Sequence, residues 1–316
     1  THNGYIKRTS LSTYRSQRRG GSGLQGASSR EEDFVEHLFV ANTHSYILFF
    51  TDKGKCYWVK VYDIPEGGRA AKGRAIVNLI GCEPDEKVSA FISVKEFHED
   101  HFVVMATEKG IVKKTKLSAY SNPRKKGIYA VEIRDGDKLI EARVSTGDND
   151  ILLGTRNGKS IRFSEEQIRA SGRKTMGVKG ITLSSDDDRL VGMLLIKREG
   201  TVLVATEKGF GKRTEISQYR AQKRGGKGVL TMKTTEKVGK MVTIKEVVEK
   251  DDLMIITNQG VLIRLPVAQI RSIGRATQGV KLIKLGEGTL VSSITRIMSE
   301  EEQDEDNNSE PSSDKE

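Results

Sequence analysis

VLVATEKGFGKRTEISQYRAQKRGGKGVL, residues 202–230, decides the reading of this chain. An apolar, β-branched run, Val202–Val204, leads into Thr206–Gly209, whose glycine supplies the positive φ of a hairpin turn. Ten residues past that glycine stands Tyr219, and nineteen past it Gly228, with Arg224 four residues before the second glycine. Each mark recurs. The Thr-x-x-Gly turn is found at Thr1–Gly4, Thr51–Gly54, Thr107–Gly110, Thr155–Gly158, Thr206–Gly209 and Thr257–Gly260, at spacings of 50, 56, 48, 51 and 51 residues. A period near 50 residues predicts six similar modules.

The large residue ten places beyond each turn, Tyr14, Ile64, Tyr120, Ile168, Tyr219 or Ile270, reads as a core plug. The second glycine is Gly23, Gly73, Gly177, Gly228 or Gly279, and the third module reaches Gly127 after only seventeen residues. One arginine precedes each: Arg19, Arg69, Arg124, Arg173, Arg224 and Arg275. Two more alternating runs follow, as in Val229–Met232 and Met241–Val248, giving about four strands per module and almost no helix. Sheets of this size leave edges and faces exposed unless neighbours cover them, so the expected fold is all-β, a six-bladed propeller-like disc. The first module starts in mid-hairpin, which predicts a fragment of a longer chain, and Leu290–Ile297 is expected to close the ring against it.

With 316 residues and 36% hydrophobic content the chain can bury a core without staples. Cys56 and Cys82 fit no metal-ligand spacing, and no apolar N-terminal run reads as a signal peptide or membrane span. The net charge is +10, yet residues 299–316 alone carry −8, leaving +18 on residues 1–298. The expected organisation is a basic repeat domain, 1–298, followed by an acidic disordered tail, 299–316. A basic body implies a polyanionic partner, and nucleic acid ranks ahead of a membrane because no amphipathic basic helix is present.

The first module's loop, Gln17, Arg18, Arg19, Gly20, Gly21, Ser22, Gly23, resembles the Gln-Arg-Arg-Gly-Gly-Lys-Gly box of the C-terminal domains of bacterial gyrase A. Gln222, Lys223, Arg224, Gly225, Gly226, Lys227, Gly228 repeats it in the fifth module. The resemblance covers residues 1 to about 298 and implies a six-bladed β-pinwheel whose basic rim wraps double-stranded DNA, so that the parent topoisomerase introduces negative supercoils. It further implies the rest of gyrase A and gyrase B as partners, a cytoplasmic, nucleoid-associated location, no membrane, and no catalytic residue here. ATP and Mg belong to the parent enzyme and are expected elsewhere, with no cofactor in this part. Topoisomerase IV typically lacks an intact box, so its C-terminal domain is the nearer alternative and a propeller-type protein scaffold the further one.

Independently of the family, the residues three and four places after each turn glycine are candidate DNA contacts: Lys7, Arg8, Lys113, Lys114, Arg162, Lys212, Arg213 and Arg264, with Tyr57 and Trp58 departing in the second module. If strands alternate, one of each adjacent basic pair faces out. The second set lies in the arginine loops: Gln17, Arg18, Arg19, Gly20, Gly21 and Gly23; Arg69, Lys72 and Arg74; Arg124, Lys125 and Lys126; Arg173; Gln222, Lys223, Arg224 and Lys227; Arg275. Cationic side chains position DNA by its phosphates, and glycine pairs let backbone amides approach them. Gly21, Gly23 and Gly26 spell a dinucleotide fingerprint without its βαβ unit, and Gly154–Ser160 falls one residue short of a P-loop. His98 and His101 read as a polar loop rather than a metal site, and Asp186–Asp188 as a solvated turn.

Overall fold

The computed structural model describes residues 1, 3–9, 41–68, 71–83, 85–197, 199–259 and 261–297. Among them the first repeat contributes one strand, β1 (Tyr5–Ile6). The second contributes β2 (Tyr46–Thr51), β3 (Lys55–Lys60), β4 (Arg74–Ala75) and β5 (Val88–Val94), with a five-residue helix, α1 (Ile76–Ile80), after β4. The third has β6 (Phe102–Thr107), β7 (Ile111–Lys116), β8 (Ile128–Tyr129) and β9 (Leu139–Ser145). The fourth has β10 (Asp150–Thr155), β11 (Lys159–Ser164), β12 (Val178–Lys179) and β13 (Leu190–Ile196). The fifth has β14 (Thr201–Thr206), β15 (Phe210–Glu215), β16 (Val229–Leu230) and β17 (Met241–Val247). The sixth has β18 (Asp252–Thr257), β19 (Leu262–Pro266), β20 (Val280–Lys281) and β21 (Val291–Ile297).

The chemistry of the Thr-x-x-Gly motif sets each hairpin. The glycine amide donates to the threonine carbonyl, at 2.9 Å for Gly54 and 3.0 Å for Gly110, Gly158 and Gly209. The threonine hydroxyl accepts the amide four residues on, at 3.2 Å from Lys55, 3.2 Å from Ile111 and 3.3 Å from Lys159. Both bonds sit in the core, since Thr51, Thr107, Thr155, Thr206 and Thr257 are all buried. A one-turn 3-10 helix follows each of the five described hairpins and delivers Ile64, Tyr120, Ile168, Tyr219 or Ile270 into the core, as the plug reading expects. Tyr14 lies outside the described residues.

Strand order departs from a simple meander. In each blade the repeat's fourth strand pairs with its first and the first with its second, but the outermost strand comes from the next repeat. Thus β8 pairs with β3, β12 with β7, β16 with β11 and β20 with β15, each over two residues. The glycines make this exchange possible. The turn-glycine carbonyl accepts two amides of the next repeat, Ala130 and Val131 on Gly54, Thr231 and Met232 on Gly158. A Cβ on Gly158 would run into the Met232 carbonyl, and one on the second glycine, Gly228, into the Ser160 carbonyl. Backbone approaches backbone there at positive φ, 82° at Gly158 and 68° at Gly228.

Among the described residues five blades form, not the six expected. Four have four strands and the fifth, β21-β18-β19, has three. The described residues of the first repeat span only its turn and one strand, and among them β1 pairs with β4 in a two-stranded ladder. Leu290–Ile297 also takes a different role: β21 is the sixth repeat's own inner strand, paired with β18 from Asp252↔Ile297 to Thr257↔Val291.

The apolar cores lie between blades. Alternation along β2 sends Leu48 and Phe50 into a cluster with Val103, Met105 and Tyr120 of the third repeat, while Ile47 and Phe49 join Ile6 of the first. Along β10, Ile151 and Leu153 pack on the third repeat and Leu152 on the fifth. First strands therefore read as unbroken apolar runs, having no solvent face.

Gly158→Ala is expected to destabilise by roughly 3 kcal/mol, combining a left-handed residue with a backbone clash. Gly288→Ala, at φ 72° with nothing within 4 Å of its Cβ, should cost only about 1 kcal/mol. Urea unfolding of the two variants measures the difference.

Candidate nucleic-acid interface

The residues three and four places after the turn glycine do not alternate between core and solvent. Lys113 and Lys114 are 1% and 6% exposed, and Lys212 and Arg213 are 0% and 5%. The second strands of the third and fifth hairpins, β7 and β15, are covered on both faces over four consecutive residues, because the next repeat's loop and outer strand fold over them. At the fourth place the side chain donates to the carbonyl of the following repeat's plug. Arg8 Nε reaches Ile64 at 2.8 Å, Arg162 Nη1 reaches Tyr219 at 3.2 Å, and Arg213 Nε reaches Ile270 at 2.7 Å. Trp58 follows the same rule, its indole N–H donating to Tyr120 at 2.8 Å. Lys114 differs, pairing with buried Glu165 at 3.0 Å, and Arg264 is exposed beside Asp252.

At the third place a lysine seizes the next repeat's arginine loop. Lys7 Nζ donates to Gly68 and Ala71 carbonyls at 3.0 and 2.9 Å. Lys113 donates to Ala130 at 2.7 Å and to the Arg173 carbonyl. Lys212 donates to Gly274 at 2.7 Å, to the Arg275 carbonyl, and to the Thr277 hydroxyl at 3.0 Å. Burial, reinforced by the Arg173 guanidinium and opposed by Glu132, lowers the Lys113 pKa to about 8. Burial and then Arg275 lower Lys212 to about 8 as well.

The arginine loops themselves are partly tied down. Arg224 Nε donates to Gln167 at 2.9 Å and its Nη1 to Lys179 at 3.1 Å. Arg275 Nη1 donates to Leu230 at 2.9 Å, so both half-buried guanidiniums grip the preceding repeat. In the fifth-repeat box the Gly225 amide donates to Gly180 at 2.7 Å and Gln222 N–H to Arg162 at 2.8 Å. That Gly225 amide is therefore engaged within the fold rather than presented to a phosphate.

What remains outward is a consistent set. Lys72, Arg74, Arg124, Lys125, Lys126, Lys223 and Lys227 are exposed, and Arg173 is half-buried. Lys72 and Arg74 lie at β4 in the β1–β4 ladder, and the others lie in or beside the outermost strand of a blade, opposite the inner strands β5, β9, β13, β17 and β21 that pack on one another. Sequence reading missed exposed Lys174, Lys179 and Lys281 nearby, and the exposed arginines Arg169, Arg220 and Arg271. The last three follow the plug directly in the fourth, fifth and sixth repeats, a recurrence as regular as the loop arginines. Gln17–Gly23, Gly26, Arg69, Gly260 and the tail 299–316 lie outside the described residues.

The other motifs resolve into scaffolding. Gly154–Ser160 spans the β10–β11 turn. Asp188 is buried and accepts Asn157 N–H at 2.9 Å and the Ser184 hydroxyl at 2.7 Å, which makes it a turn anchor. His98 and His101 stack at 5.0 Å beside Asp100. Among the described residues no group of three acidic, histidine or cysteine side chains is placed to hold a metal, and no helix is long and apolar enough to cross a membrane.

Six segments, residues 1–42, 45–95, 101–146, 149–197, 200–247 and 251–297, match the sequence model of a family described as DNA gyrase C-terminal domain, beta-propeller. The A subunit of DNA gyrase from Staphylococcus epidermidis is 47% identical over 305 residues, 96% of this chain and 34% of that protein. Its counterpart in Staphylococcus aureus MRSA252 is 47% identical over 315 residues, 99% of this chain and 35% of its own length. The chain thus spans about a third of the length of these curated relatives. The crystal structure of the C-terminal domain of DNA topoisomerase IV superimposes with a TM-score of 0.80 at 24% identity, covering 97% of this chain and 96% of that one. A DNA gyrase A C-terminal domain gives 0.77 at 24% identity, covering 94% and 97%. At that identity the likeness is one of fold.

The buried lysines make stability depend on pH with a definite sign. Their folded pKa, about 8, lies below the ordinary 10.5, so between these values the unfolded chain holds more protons and stability rises with pH. The stability of Lys113→Met or Lys212→Met, measured by urea unfolding at pH 8, 9 and 10, should lack the part of that rise that wild type shows.

Proposed function

The chain belongs to the DNA gyrase C-terminal domain family, and from that membership we propose that it binds, bends and wraps duplex DNA without reading its sequence, as part of a DNA gyrase that introduces negative supercoils. The observation that carries this reading is the recurrence of exposed cations at equivalent positions of successive repeats: Lys72 and Arg74, Arg124 to Lys126, Lys174 and Lys179, Lys223 and Lys227, then Lys281. The box residues Gln17, Arg18, Arg19, Gly20, Gly21 and Gly23 are proposed as further DNA contacts from their place in the sequence repeat alone. Gyrase B and the rest of gyrase A are the proposed partners, and ATP and Mg act in those parts of the enzyme.

Cations spaced along a curved edge neutralise phosphates one blade at a time and fix the path of the duplex without touching base edges. Bending 20–30 base pairs through 40–90° costs roughly 1–6 kcal/mol, more than one blade's contacts supply, so consecutive blades must act together. Tyr62 and Tyr129 are the largely exposed aromatics among the described residues, too few for a stacking track along a single strand. A protein scaffold would require no such spacing of charge.

Ligating a nicked plasmid in the presence of the chain, then removing the protein, measures the linking number it traps. Wrapping predicts trapped positive supercoils. It also predicts that log K falls against log salt with a slope of about −5, with about one phosphate neutralised per blade. Lys223→Ala with Lys227→Ala, which strips one blade of its loop lysines, should reduce the slope by about 1 while leaving the fold intact. An unchanged linking number, with DNA binding confirmed at low salt, overturns wrapping and favours the scaffold.

A further inference from the structure

The residue three places after the turn glycine alternates along the chain. It is Lys7, Lys113 and Lys212 in the first, third and fifth repeats, and Tyr57, Ile161 and Ile263 in the second, fourth and sixth. The strands around it are the same, so isoleucine satisfies the blade at this place. A lysine there costs the fold the desolvation of an ammonium. The benefit of Lys113 and Lys212 must therefore lie in what their ammonium groups hold.

Both reach the next repeat's arginine loop, Lys113 while also holding the Ala130 carbonyl of its own repeat at 2.7 Å. The acceptors of Lys212 are the Gly274 and Arg275 carbonyls and the Thr277 hydroxyl, and Lys113 reaches the Arg173 carbonyl in the equivalent loop one blade pair earlier. Thr277 is fixed further by its own hydroxyl, which donates to Gly274 at 3.0 Å. Thr175 in the fourth repeat donates to Gly172 at 2.9 Å in the same manner. The loops of the third and fifth repeats have no such ammonium beneath them: Tyr57 turns its hydroxyl to Glu86 at 2.8 Å, and Ile161 offers only its side chain under Gly226. The third repeat's loop carries three exposed cations in a row, Arg124 to Lys126.

We propose that Lys113 and Lys212 are positioning residues for DNA: each ammonium locks the backbone of the next repeat's arginine loop, so that the cations of that loop meet phosphate in a fixed geometry. The inference rests on the DNA-wrapping reading. Neither lysine touches DNA itself.

The test uses the whole chain, with Lys113→Met and Lys212→Met read by amide hydrogen exchange and by plasmid ligation. In Lys212→Met, exchange of residues 273–279 should quicken by on the order of tenfold, the worth of hydrogen bonds to a charged group, while Leu253–Ile256 stays protected. In Lys113→Met the same change should fall on residues 171–177. Trapped supercoils per bound chain should drop with each substitution. Loops that stay protected, or wrapping equal to wild type, overturn the inference, whereas a wild-type chain that traps no supercoils overturns the wrapping reading instead. Reductive methylation of the wild-type chain with and without duplex DNA gives a measurement independent of variant folding. Lys227 should become protected by DNA while Lys113 and Lys212 stay unreactive throughout, and a Lys212 that is reactive in free protein and shielded by DNA would sink the proposal.

Discussion

A strand of two residues, handed by each repeat to the hairpin before it, is the interaction on which the other features depend. It forces both glycines of the repeat, because backbone must lie on backbone at the turn and again at the strand's entry. It covers the second strands of the third and fifth hairpins, which is why side chains there have no solvent to point into. It also draws the loop that precedes it across the neighbouring blade, bringing lysine, arginine and tryptophan donors within reach of that loop's carbonyls. The cores follow from the same arrangement: with edges shared, the apolar faces of adjacent blades meet, and no repeat owns a core of its own.

Much of this was legible in the sequence as a set of spacings. Among the described residues the Thr-x-x-Gly turns, the plugs and the second glycines fall where the repeat predicts, because each is a local requirement of the hairpin or of burial. The exchange of strands was not legible, since a run such as Val229–Leu230 has the same pattern whichever sheet it joins. The misplacement of Lys113 and Lys212 comes from that gap. Alternation assigns one residue of an adjacent pair to solvent only when a strand has a solvent face, and these have none. Trp58 departs from a basic pattern, yet the property shared by the position is an N–H donor aimed at a carbonyl, which indole and guanidinium both provide. The expected sixth blade needed an inner and a first strand from the opening repeat, and the described residues there supply neither.

Charge composition also reads differently once the fold is known. Part of the basic excess is internal. Lys114 pairs with Glu165, Arg162 with Asp150 and Arg213 with Glu249, while Lys113 and Lys212 commit their donors to carbonyls and the Thr277 hydroxyl. The field at the outer edge therefore comes from fewer groups than the sequence counts, and from loops and short strands more than from hairpins. Buried cations surrounded by carbonyl dipoles fix geometry rather than generate a far-reaching potential.

Shared strands also impose an order in time on a chain made from its N-terminus. The hairpin of the second repeat ends at Lys60, but its outermost strand is Ile128–Tyr129. At roughly 5–20 residues per second, translation leaves that hairpin with a bare edge for about 3–14 s, and each later blade repeats the wait. During the wait the exposed edge is a template for any passing strand. The two-residue length of the donated strands limits that hazard, because so short a ladder binds firmly only when the turn glycine, the plug carbonyl and the buried donors of the correct neighbour are all in place. Fidelity of assembly thus resides in the side-chain contacts around the strand more than in the strand.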